Sequence, residues 1–132
     1  MKKQILILIV FGLFSTAYSL ESTTLNSGSI VNTWIWEKSI GGASNPYTAT
    51  PKTIGFTKKV VFTPDGRVIT YKNDVEIRNS AYEIGKGIGF SDKAEHDLIT
   101  FEGKTYIIEN LDNQNLTIVS NCQDAARTIF KR

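Results

Sequence analysis

"FTKKVVFTPDGRVITYKNDVEIRNSAYEI", Phe56 to Ile84, is the stretch on which the fold turns. Its apolar residues recur with a period of two, β-branched and aromatic types are enriched, and two turn signals interrupt the run. In "TPDGR", Pro64 presets φ and Gly66 supplies the positive φ that sends the chain back as a hairpin; Asn73-Asp74 turns the next strand in the same way. The spacing predicts strands over Phe56–Thr63, Arg67–Lys72 and Val75–Ile84.

The same alternation extends in both directions. It predicts a strand over Ile30–Lys38 before this stretch, and strands over Leu98–Glu102, Lys104–Glu109, Leu116–Ser120 and Arg127–Lys131 after it. No segment carries a sustained helical stripe. "GKGIG" and "SDKAEHD" read as a loose polar connection, and "SIGGASNPYTATPKT", Ser39–Thr53, as a long loop of the kind that is functional or a lid. Eight short strands joined by tight turns must leave open edges or close on themselves. The expectation is an all-β, eight-stranded antiparallel up-and-down barrel, with a two-sheet sandwich as the structural alternative.

The chain opens "MKKQILILIVFGLFSTAYS", a charged start, a short apolar run and small residues at Ala17 and Ser19. This predicts an export signal over residues 1–19 and a domain over 20–132, bound for the periplasm or the extracellular space. The apolar run is too short to span a bilayer, so no transmembrane segment is expected in the mature chain. The net charge of +2 belongs to the precursor. Without Lys2 and Lys3 the basic and acidic residues balance, which removes the electrostatic support for nucleic-acid binding. Cys122 is the one cysteine, so no intrachain disulfide forms, and we expect a buried thiol in a monomeric domain held by packing.

"TWIWEKSIGG" (Thr33–Gly42), "TPKTIGFTKKVVFTPDGRV" (Thr50–Val68), "AYEI" (Ala81–Ile84) and "NLTIVSNCQDAARTIFKR" (Asn115–Arg132) together resemble the lipocalin-like (calycin) domains of small exported bacterial proteins of the Bacteroidota type. The resemblance covers most of the chain after residue 19. It implies a barrel in which the first Trp, here Trp34, lies low in the interior, with Phe130 and Arg132 matching the aromatic-x-Arg ending near it. Two positions depart from the pattern: Asn32 stands where such domains usually have Gly, and so does Ala125. Function taken from a fold family is analogy, since one architecture hosts many activities.

Trp34 and Trp36 are two apart and face the same way, each able to bury about 150–250 Å². We expect Trp34, Phe130, Arg132 and Gly66 to be structural, with Arg132 lying over Trp34, and Trp36, Phe62, Tyr82 and Tyr47 to line a ligand site at the open end. Lys58, Arg67, Arg78 and Arg127 are expected on the solvated outer face, since an unpaired buried charge is costly. Glu95, His96 and Asp97 are consecutive and cannot easily converge on one ion, so a polar loop is expected, with no metal, cofactor or catalytic group. The leading expectation is a non-enzymatic barrel that binds a small hydrophobic molecule. The alternative is a scaffold that docks or inhibits an envelope protein through its loops.

Overall fold

The computed structural model describes residues 29–132, so the expected export signal at 1–19 lies outside the described residues. In chain order the elements are β1 (Thr33–Ile40), β2 (Thr48–Ala49), α1 (Pro51–Ile54), β3 (Lys58–Phe62), β4 (Arg67–Lys72), β5 (Val75–Ile88), β6 (Glu95–Phe101), β7 (Lys104–Leu111), β8 (Asn115–Ser120) and β9 (Arg127–Lys131). No described helix is long and apolar enough to cross a membrane.

From β3 to β9 each strand pairs antiparallel with the next, β1 pairs with β3, and β9 pairs back with β1. The sheet is thus a closed eight-stranded antiparallel barrel, with the two-residue β2 added beside the end of β1. The expected turn chemistry is present. Gly66 has φ +86°, and Asn73 and Asp74 have φ of 49° and 66°, the paired positive values of a tight hairpin whose twist suits the strands it joins. Before Ala125, Asp124 itself takes a positive φ of 58°, so Ala125 needs no glycine-like freedom.

Inward side chains follow from the register. Trp34 pairs with Val60, Val60 with Thr70 and Thr70 with Arg78, which puts all four on one face of the sheet. Trp34, Val68, Ile99 and Leu116 are the largest fully buried side chains. The closed end is packed by Ile30, Trp34, Leu111 and Leu116, and the Trp34 indole N–H donates to the Ile30 carbonyl at 2.9 Å.

Three local expectations need correction. The polar connection after Ile84 is shorter than expected: β5 runs to Ile88 and β6 starts at Glu95, pairing Lys86 with Asp97 and Gly87 with His96. Gly87 packs rather than loops, since a Cβ there would strike the Leu98 side chain, while Gly85 has open space around it. The Ser39–Thr53 loop is also built. Thr50 caps α1 in a reciprocal box with Thr53, and Asp124 Oδ1 accepts from Ser44 N at 2.7 Å. Cys122 is exposed rather than buried, because it falls in the turn between β8 and β9.

Candidate functional site

The end of the barrel that carries the β1–β3 connection and the β4–β5, β6–β7 and β8–β9 turns holds a cavity of about 260 Å³. Its walls are inward-facing: Val60 and Thr70 from β3 and β4, Phe101 and Tyr106 from β6 and β7, and Ile118, Thr128 and Phe130 from β8 and β9. At its rim stand Lys58, Arg78, Glu102 and Lys104. β5 explains why the wall opens here. It pairs with β4 over Val75–Ala81 and with β6 only from Tyr82 onward, so its first half has a single ladder partner. The open side faces the β6–β7 turn, and Arg78 Nε bridges to Glu102 Oε2 at 3.2 Å.

The expectation that all four cations lie on the outer face is corrected for two of them. Arg67 and Arg127 do lie outside, Arg67 on Asn79 and Arg127 on Glu109, to whose carboxylate its Nε and Nη2 donate at 2.7 and 2.8 Å. Lys58 shares a face with Val60 and Phe62, and Arg78 shares one with Ser80 and Tyr82, so both reach the cavity mouth. Lys58 is half-buried, and its ammonium lies 5.6 Å from the Trp36 ring centroid. Burial first, and the Arg78 charge second, push Lys58 below the ordinary lysine range, against an opposing pull from Glu102. Among the described residues no carboxylate lies within ion-pair distance of Lys58 or Lys104. Burial first and Glu102 second push the Tyr106 phenol up, so it stays neutral across the physiological range.

None of the four expected ligand residues forms the cavity wall. Trp36 is buried beside it, its indole N–H donating to Ser39 Oγ at 2.9 Å and its ring stacked on Phe56 with centroids 6.5 Å apart. Phe62 and Tyr82 form the layer behind the wall. Phe62 meets Tyr82 and Phe101 edge-on at 5.0 and 5.8 Å, and Phe101 stacks on Tyr106 at 5.2 Å, so this chain of rings fixes where Phe101 stands. Tyr82 also donates its hydroxyl to the Thr63 carbonyl at 3.0 Å. Tyr47 is exposed, its ring set against the backbone of Gly41, where a side chain would collide with it. Arg132 does not cover Trp34. It bonds the β7–β8 turn, Nη1 donating to the Asn113 carbonyl at 3.0 Å and its backbone N–H to that of Gln114 at 3.1 Å. Phe130 is buried and pairs with Trp36 across the β1–β9 seam.

A second hollow, of about 290 Å³, lies outside the barrel between the β5–β6 turn and the outward faces of β7 and β8, with Ile107 and Val119 as its floor. The turn is held there by Asn121, whose Oδ1 accepts from Phe90 N at 2.7 Å and whose amide donates to the Ile88 carbonyl at 3.2 Å. His96 and Cys122 both border it, but His96 is engaged with Asp92 at 2.7 Å and makes no hydrogen bond to the thiol. Among the described residues, no three His, Cys, Asp or Glu side chains are grouped as metal ligands would be. The interior cavity therefore has the stronger claim to a ligand: its walls are preformed by the register, and its polar groups converge at one side. Comparisons with protein-family models, with curated proteins and with solved structures return no match.

Proposed function

We propose that the chain is an exported lipocalin-like barrel that binds, rather than transforms, one small apolar molecule at its open end. The observation that carries this reading is the cavity of about 260 Å³ bounded by Phe101, Tyr106, Ile118 and Phe130. At about 260 Å³ the pocket lies just below the roughly 300–1,000 Å³ of typical ligand sites, so the guest is compact or only partly enclosed. The chain of rings from Tyr82 to Tyr106 supports the same reading, since it holds the wall rigid before any ligand arrives.

Native mass spectrometry of the protein taken from its own host, together with NMR titration against a library of apolar fragments, tests the reading. A bound mass, or shifts centred on Phe101, Tyr106 and Phe130, is expected. No bound mass and no shift at these residues refutes it. A second reading, docking of an envelope protein, is favoured by two separate exposed apolar spots, Val75 with Ile77 at the start of β5 and Ile88 with Phe90 at its far end. A pull-down from envelope extract in which Ile77→Ser and Phe90→Ser lose a partner retained by the parent chain would support that alternative.

A further inference from the structure

The cavity's charges are lopsided. Three cationic side chains, Lys58, Arg78 and Lys104, stand at its rim with one carboxylate, Glu102, and Glu102 is already paired with Arg78. Cations on a protein surface need no special account, because water solvates them. Lys58 is different, since it is half-buried, sits on the same face as Val60 and Phe62, and lies against the Trp36 ring with no carboxylate in ion-pair range among the described residues. Holding an ammonium there costs solvation that a ring face only partly returns. A second polar group inside the barrel is also unmatched: Ser80 Oγ, two residues below Arg78 on the inward face of β5, is buried with no hydrogen-bond partner.

We propose that the mouth cavity selects a small apolar anion, its acid group seated between Lys58 and Arg78 and its apolar body against Phe101, Tyr106 and Phe130. The inference rests on the reading of this cavity as the binding site and adds the charge of the guest. Arg78 has the geometry to serve both sides: its Nε holds Glu102, and the rest of the guanidinium fork remains for a second acceptor. The volume excludes a fully enclosed long acyl chain, so the body is a one- or two-ring aromatic or a short chain.

The test is a calorimetric titration of the folded chain with benzoate, 2-naphthoate and octanoate, each beside its neutral alcohol of the same carbon skeleton, with NMR mapping of the shifts. At least one acid is expected to bind about tenfold or more tightly than its alcohol, as a charge-assisted hydrogen bond to the half-buried Lys58 implies, with the more exposed Arg78 adding a smaller share. Lys58→Met, checked for folding by circular dichroism, is expected to remove most of that preference and Arg78→Gln, checked likewise, a smaller part, each by lowering the acid's affinity far more than the alcohol's. Alcohols that bind as well as their acids, with shifts at Phe101 and Phe130, overturn the anion inference and leave the cavity reading intact. Acids that bind with shifts confined to Ile107, Val119 and His96 also overturn it. If neither series binds at about millimolar concentration, where even weak fragment contacts register, both readings fall.

Discussion

Replacing Trp34 and Trp36 separately by Phe should destabilise the barrel by different amounts, though the two residues are neighbours on one face of one strand. Trp34 is fully buried, and its indole N–H is donated to the Ile30 carbonyl at 2.9 Å in a buried setting. Trp34→Phe strands that carbonyl, which costs about 1–3 kcal/mol, and leaves space where the second ring stood, adding about 1 kcal/mol. The total of about 2–4 kcal/mol is a large share of the ~5–15 kcal/mol by which such domains are stable. In a domain of this size it lowers Tm by roughly 10–20 °C. Trp36 donates instead to Ser39 Oγ, a partly buried hydroxyl that can find water, and Phe at that position can still stack on Phe56. Its loss should cost about 1 kcal/mol. Urea unfolding followed by far-UV circular dichroism, with the slope unchanged between variants, measures both. Equal costs, or a Trp34→Phe cost below about 0.5 kcal/mol, would show that the closed end does not depend on the Trp34–Ile30 bond.

Cys122 is exposed in the β8–β9 turn, so iodoacetamide should modify it in the native protein at the rate of a free thiol; a requirement for denaturant would contradict its placement. Gly41→Ala drives a methyl into the Tyr47 ring and the Asn45 carbonyl, and should cost about 1–3 kcal/mol in the same urea assay, with no loss indicating that the loop gives way freely. An acid seated beside Lys58 restores the proton affinity that burial and Arg78 take away, so binding should take up protons at alkaline pH and weaken as pH rises through the depressed pKa of Lys58. Calorimetry in two buffers of different ionisation enthalpy reads this directly, and identical heats across that range would remove Lys58 from the contact. Arg127→Leu breaks the pair that holds Glu109 below the ordinary carboxyl range. Its cost, about 0.5–1 kcal/mol, should be full above the usual carboxyl pKa and shrink as pH falls through that of Glu109 in the folded state; a pH-independent cost would mean that packing, not charge, is lost.

The strands were legible because one period, repeated, says which face each residue takes, and because Gly66 and Asn73-Asp74 name their turns. The extension of β5 to Ile88 was not, since Gly85 and Gly87 look like loop residues until Leu98 is seen lying across the second. For the cavity, the signal was present and outweighed. Parity alone puts Lys58 with Val60 and Phe62, and Arg78 with Tyr82, but the rule that charges stay outside points the other way. What decides is the change of partner halfway along β5, which opens the wall beside Arg78 and is a matter of register between strands that local sequence does not encode. The docking of Arg132 on the β7–β8 turn is a choice of the same kind, while the set of Tyr47 against Gly41 is made within one loop whose shape no periodicity announces.

The β1–β9 seam has a consequence for how the molecule assembles. Every ladder from β3 to β9 joins strands adjacent in sequence and closes a short loop, while the seam joins residues nearly the whole described chain apart, Ile35 opposite Lys131. Short loops close with little entropy loss and early, so the chain first becomes an open ribbon of hairpins and zips into a ring last. Trp36 and Phe130, paired across that seam, therefore act late. Truncating either one should speed unfolding far more than it slows folding, which makes the seam the place where the lifetime of the closed barrel is set.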